Sequence, residues 1–303
     1  MPDVSIVTVT FGDVDAATRV GTGLEAVQRT GGDPPLEVVV VAVGPAGRAA
    51  ADTLVEHTFG TSLRPEIVEV EAGTGYGRAA NVGIAKTAGD VVVVAKPEVS
   101  FHQRFLRRLR IEIPEKWDFL APAVREGEAG KVATGVSKRG RTHRLVPVDN
   151  PPARNPEQVS AGNGNCVIVR RHVLERRVAA VGGLFEDAYE TGGDLDLFWW
   201  AEHQRLVVRY VPNLYVGYAV GEDVVQTAPE RRRTMANYRV TVWKHASPRD
   251  VTGWVMGEAA FLSEEVAAGG LSGLVRYFGS WKDSVDTGRA IKRRRGKLRA
   301  VDP

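Results

Sequence analysis

A chain of 303 residues, 43% hydrophobic and 25% charged, has the composition of a globular protein with room for one large or two ordinary domains. Its net charge of +3 is unevenly placed: Arg289–Pro303 holds seven Lys/Arg and one Asp, a net of +6, which leaves −3 on residues 1–288. A basic tail on an acidic body argues against a nucleic-acid-binding domain, whose cations lie on the folded face, so no nucleic-acid partner is expected. The apolar runs Val38–Val43 and Val91–Ala95 are far too short to span a bilayer. No basic n-region or apolar h-region precedes the first strand, so no secretion signal is expected. Cys166 has no partner for an internal disulfide, which fits a reducing, cytoplasmic setting, and "GNCVIVRR" makes it a packed thiol in a buried strand.

The first hundred residues alternate in type. Val4–Thr10 reads as a strand, Asp15–Arg29 as a helix and Pro35–Val43 as a second strand. Arg48–Thr58 reads as a helix, Ile67–Val70 as a third strand, Arg78–Thr87 as a helix and Val91–Ala95 as a fourth strand. Such alternation with short links predicts a parallel, doubly wound sheet, whose ligands bind beyond the carboxyl ends of the strands. Further on, Phe119–Val124 and Val132–Val136 are short strand candidates, and "DNPPARNPEQ" (Asp149–Gln158) is a loop. Strand, short helix, acidic loop, helix and strand follow, and from Ala228 the pattern is helical.

Three stretches carry chemistry. In "GDVVVVAKPEVSF" a buried, uncharged strand stops in Lys96-Pro97-Glu98, a cation and a carboxylate at a ligand-facing end. The alternative is a surface Lys–Glu ion pair of little energetic consequence. "EAGTGYGRAANVGIAKTAGD" has Gly73 and Gly75 but Arg78 where a dinucleotide fingerprint needs its third glycine, which disfavours a nucleotide-dependent oxidoreductase. Its amides, with Arg78 and Asn81, suit a phosphate or ribose at a helix N-terminus. In "YETGGDLDLFWW", Asp194 and Asp196 follow a glycine pair. They read either as a cap and a first-turn carboxylate or as a general base at a cleft mouth.

Together these segments resemble the family 2 glycosyltransferases, especially rhamnosyltransferase-like members, over about Val4 to Lys244. The matching pieces are "VSIVTVTF", "GYGRAANVGIAKTAGDVVVVAKPEV", the run from "GNGNCVIVRR" through "GGDLDLFWWAEHQRLVVRYVPN", and "NYRVTVWKHASP". The resemblance implies an α/β GT-A fold, mostly parallel and doubly wound, with a C-terminal helical extension. It divides the chain into 1–98, the nucleotide-sugar half of the core, 99–222, the acceptor and catalytic half, and 223–303, helices with a basic tail. It implies inverting transfer from a nucleotide sugar to a glycan or lipid-linked acceptor, with Asp194 and Asp196 catalytic. Thr10, Phe11, Arg78, Asn81, Lys96 and Glu98 fall on the donor side, and Asn163 and Trp199 on the acceptor side.

This chain departs from the family pattern at four places. Ala42 stands where relatives hold the nucleotide with an aspartate, and Lys96-Pro97-Glu98 replaces Asn-Pro-Asp. Gly193 replaces the glutamate before the catalytic aspartate, and Tyr218 stands where a metal-ligating histidine is expected. A neutral phenol is a poor ligand for Mg²⁺ or Mn²⁺, so the metal, with Glu98 as its ligand, is expected to be weak or absent. The alternative is a catalytically inactive glycosyltransferase-like scaffold or sugar-binding subunit. Aromatic residues ahead of Arg289–Arg299 suit an anionic membrane surface, hence a cytoplasmic protein peripheral to the inner face of the cell membrane.

Overall fold

The structure is a computed structural model. It describes residues 3–31, 36–126, 131–133, 136–139, 142, 145–147, 157–162, 164–189, 193–218 and 227–301. In chain order the elements are β1 (Val4–Thr10), α1 (Val14–Gly31), β2 (Glu37–Val43), α2 (Gly44–Thr58), β3 (Glu66–Val70), α3 (Tyr76–Ile84), β4 (Val91–Ala95), β5 (Val99–Phe101), α4 (Phe105–Glu112) and β6 (Phe119–Glu126). Short strands β7 (Lys131–Ala133), β8 (Val136–Arg139), β9 (Leu145–Pro147), β10 (Glu157–Val159) and β11 (Ala161–Gly162) follow. The chain ends with β12 (Cys166–Arg170), α5 (Arg171–Val181), α6 (Gly193–His203), β13 (Val208–Tyr218), α7 (Ala228–His245) and α8 (Val251–Val301). The expected loop at Asp149–Gln158 falls largely outside the described residues, and its end, Glu157–Gln158, is paired as β10.

The main sheet runs β10-β13-β6-β12-β4-β1-β2-β3. Strands β4, β1, β2 and β3 are parallel, as their helical crossovers require. Strand β12 then enters antiparallel between β4 and β6, pairing Cys166 with Ala95, and β13 returns parallel to β6. Because side chains alternate across a strand, one sheet serves two cores. Val91, Val93 and Ala95 of β4 face the α1–α2–α4 layer, while Val92 and Val94 face α3, α5 and α6. Cys166 is buried, and burial pushes its thiol up to about 12.

Helices α7 and α8 form the helical extension. Thr227 and Glu230 close a capping box at the start of α7. Helix α8 is two limbs reversed at Gly270, whose φ of 53° and ψ of −124° suit a residue without a β-carbon. The limbs lie antiparallel, with Arg276 on Glu265 and Tyr277 on Glu258. Arg239 of α7 is fully buried between them, donating to Glu258 from Nε and Nη2 and lying 4.4 Å from the Trp281 ring centroid. Leu195, Trp199, Met235, Tyr238 and Phe261 pack this extension onto α6.

Candidate active site

A cleft of about 330 Å³ opens beyond the carboxyl ends of β1 and β4, where this sheet topology places ligands. Phe11 follows β1, Tyr76 and Gly77 start α3, and Lys96-Pro97-Glu98 follow β4. Asp194 comes from the start of α6, Tyr218 from the end of β13 and Glu230 from the start of α7, with Gly164, Phe185 and Tyr189 completing the wall. Three of these segments come from the first hundred residues and the rest from Gly164 onward, so the cleft exists only where the two parts of one sheet meet.

The question raised by Lys96 and Glu98 has a geometric answer. They are not paired with each other in a surface salt bridge. The Lys96 ammonium donates to Asn165 Oδ1 at 2.9 Å, and its backbone N–H donates to Asn165 O at 2.9 Å. The antiparallel β12 delivers Asn165 to that spot. Glu98 Oε2 is buried and accepts no hydrogen bond among the described residues, and the Tyr76 hydroxyl is buried and unpartnered in the same sense. Burial, with smaller contributions from Cys166, Glu98 and Asp194, pushes the Tyr76 hydroxyl well above its ordinary value, so it keeps its proton. Two buried polar groups in one cleft, neither hydrogen-bonded among the described residues, are free to pair with a polar ligand.

Asp194 lines this cleft partly buried, one oxygen accepting from the Leu195 N–H at 3.1 Å. Asp196 is elsewhere, and its expected catalytic role is corrected. It is fully buried, with Oδ2 on Arg177 and Oδ1 on Lys244 at 2.6 Å and His245 at 2.7 Å. Burial alone raises its affinity for a proton. The hydrogen bond from His245 and the charges of Arg177 and Lys244 outweigh burial and hold the carboxyl well below the usual carboxylate range. Just over half a helical turn separates the two fates: Asp194 faces the cleft, and Asp196 ties α6 to α5 and α7.

Other expected positions turn inward or away. Thr10 is 3% exposed, and its hydroxyl donates to Gly47 O at 2.8 Å, tying β1 to α2. Asn81 donates to Phe185 O at 2.8 Å and Asp187 Oδ1 at 2.7 Å and accepts from Phe185 N–H, so it braces the loop before α6 and does not face a donor. Arg78 is exposed but lies in a separate depression with Glu69, Glu71 and Thr74, because a helix beginning at Tyr76 turns it away from Gly77. Trp199 is 2% exposed and stacked on His245, in the core between α6 and α7 and not on an acceptor surface. Asn163 lies outside the described residues. The residues that sequence reasoning missed are Tyr76, Asn165, Phe185 and Glu230. Tyr76 had a signal in its place at the head of the glycine-rich helix, whereas the others reach the cleft only through tertiary contacts.

Among the described residues the cleft is a poor fit for a divalent metal. Among the described residues no group of three His, Cys, Asp or Glu converges. Glu98 and Asp194 reach the cleft, and one oxygen of Glu230, Oε2, already accepts from the Thr227 N–H and hydroxyl. A phenol at Tyr218 and an ammonium at Lys96 complete the surroundings, a poor donor set for a hard cation.

No family model and no curated protein matches the sequence. Solved structures do match the fold. TarS of S. aureus, residues 1–349, is 13% identical, with a TM-score of 0.54 over 98% of this chain and 92% of that one. It has also been solved with UDP-GlcNAc, where the TM-score is 0.55. The mannosyltransferase PcManGT from Pyrobaculum calidifontis, in complex with GDP-Man and Mn²⁺, is 17% identical, with a TM-score of 0.51 over 99% of this chain and 85% of that one. GalNAc-T7, solved with UDP, GalNAc and Mn²⁺, is 14% identical, with a TM-score of 0.56 over 80% of this chain and 48% of that one. These likenesses establish the architecture: the chain has the GT-A fold, a central, mostly parallel sheet with a C-terminal helical part.

Proposed function

We propose that this GT-A chain is an inverting glycosyltransferase of the family 2, rhamnosyltransferase-like kind, using a nucleotide-sugar donor and a glycan or lipid-linked acceptor. The observation that carries the reading is the convergence of Lys96, Glu98, the Tyr76 hydroxyl and Asp194 on one cleft at the ligand-facing end of the sheet. The fold neighbours bind UDP-GlcNAc and GDP-Man, which supports a sugar nucleotide as the ligand.

In this mechanism Asp194 accepts the proton of the acceptor hydroxyl as that oxygen attacks the anomeric carbon from the face opposite the diphosphate. The new C–O bond forms while the bond to the diphosphate oxygen breaks, which inverts the anomeric centre. Negative charge develops on the departing nucleoside diphosphate, and the Lys96 ammonium, held in place by Asn165, stabilises it. Tyr76 and Glu98 offer a donor and an acceptor to the donor's hydroxyl groups. No step is assigned to a metal, because the described residues do not form a site for one.

The test is a thermal-shift panel of nucleoside diphosphates and nucleotide sugars, followed by turnover of whichever donor binds. A ligand at a hundredfold its dissociation constant stabilises by about 2.7 kcal/mol, readily detected. Asp194→Asn should then lower turnover by about 10²–10⁴-fold with donor binding kept. Failure of every nucleotide to stabilise the chain counts against the donor reading, and unchanged turnover in Asp194→Asn counts against the base.

A further inference from the structure

The second limb of α8 carries a stripe that the fold leaves uncovered. Leu271, Val275, Phe278, Lys282, Val285 and Arg289 recur at alternating steps of four and three residues, which places them along one line of a helix. Leu271 is 79% exposed, Val275 68% and Phe278 65%, while Tyr277, Ser280, Ser284 and Ile291 on the other side are buried. The fold has sorted the aromatic residues: Tyr277 and Trp281 pack inward against Arg239, and Phe278 points out. It has sorted the cations too. Arg294 turns inward to Asp187 at 2.8 Å, whereas Lys282, Arg289, Lys292 and Arg293 stay exposed. The stripe is therefore apolar at the Gly270 end and cationic at the other, with Asp286, 3.7 Å from Arg289, as its acidic neighbour.

We infer that this stripe is a docking surface for an anionic lipid bilayer. Leu271, Val275 and Phe278 enter the acyl boundary, and Lys282, Arg289 and Lys292 meet the headgroup phosphates. Charge selects this occupant over a second copy of the chain. Stripes laid parallel oppose Lys282 to Lys282 and Arg289 to Arg289. Laid antiparallel, they bury Arg289 and Lys292 against Val275 and Leu271, again without a counter-charge. Anionic headgroups satisfy the cations and accept the apolar end together. Among the described residues no helix is long and apolar enough to cross a membrane, so the contact lies along the surface. The inference stands on the helix alone and does not depend on the transferase reading.

The experiment is co-sedimentation of the full chain with vesicles of phosphatidylcholine alone and of phosphatidylcholine mixed with phosphatidylglycerol. Two double variants are compared: Leu271→Ser with Phe278→Ser, and Lys282→Glu with Arg289→Glu. Wild type should bind only the phosphatidylglycerol vesicles, less tightly as salt is raised. Each double variant should lose about tenfold or more in affinity with an unchanged circular dichroism spectrum. Equal binding by wild type and both variants overturns the inference. So does a wild type that ignores vesicles but sediments as a dimer that Leu271→Ser with Phe278→Ser dissociates, which would make a second copy the occupant.

Discussion

Gly164 lies so close to Asp194 that a β-carbon added to it would stand 2.6 Å from Asp194 Oδ2 and 2.7 Å from its Cβ. The backbone just before β12 thus sets where the Asp194 carboxylate sits. Gly164→Ala should push that side chain out of place while leaving the donor-side groups Lys96 and Glu98 alone. The expected result is a turnover loss of about 10²-fold, the scale of a misplaced catalytic group, with nucleotide binding by calorimetry unchanged. Equal turnover in the variant would show that Asp194 has room to move.

Tyr76→Phe should separate ligand from scaffold. Its hydroxyl is buried without a partner among the described residues, so removing it costs the ligand-free protein nothing and gives an equal or slightly higher melting temperature. If the hydroxyl meets a donor, the variant loses about 0.5–1.5 kcal/mol of binding, roughly two- to tenfold in affinity. A melting temperature several degrees lower would mean the hydroxyl already has a protein partner.

Asp196→Ala should behave in the opposite way. It leaves the buried Arg177 and the largely buried Lys244 and His245 around a lost carboxylate, and breaking one side of a buried charge cluster costs about 3–5 kcal/mol. Chemical denaturation should show that loss whether or not a nucleotide is bound.

The same cluster makes the protein acid-sensitive. His245 faces Asp196, stacks on Trp199 and lies 5.5 Å from His203, with Lys244 beside it and Arg177 across the carboxylate. Burial, with the charges of Lys244 and Arg177 acting in the same direction, lowers its pKa against the raising contact with Asp196. A group depressed in the folded state contributes stability above its unfolded value, about 6.5 for histidine, and loses it as pH falls through the folded value. Melting temperature should therefore drop on acidification below about pH 6.5, and His245→Gln should flatten that slope. Parallel curves for both proteins would assign the sensitivity to another group.

Metal dependence is expected to be weak. Calorimetric titration of a nucleoside diphosphate should give similar affinity with Mn²⁺ and with EDTA, Lys96→Ala should weaken it, and Glu98→Ala should matter less. Binding abolished by EDTA but indifferent to Lys96→Ala would make Glu98 an ordinary metal ligand.

The sequence by itself determined the alternation of the first hundred residues, because strand and helix periodicities are local properties of the chain. Val91–Ala95 agrees with β4 residue for residue, and α3 begins at Tyr76, two residues before the expected Arg78. That Lys96 and Glu98 end a buried strand was equally local. Where each polar side chain points was decided only by the tertiary structure. Thr10, Asn81 and Asp196 each have a polar group that can serve a ligand or a neighbouring element, and nothing in the linear order says which. The antiparallel entry of β12 between β4 and β6 brings Asn165 to Lys96 across 69 positions of sequence. The packing of α5, α6 and α7 brings Arg177, Lys244 and His245 around Asp196. A charge cannot be buried unless countercharges from distant elements reach it first, so the division of labour between Asp194 and Asp196 is a property of the assembled layers.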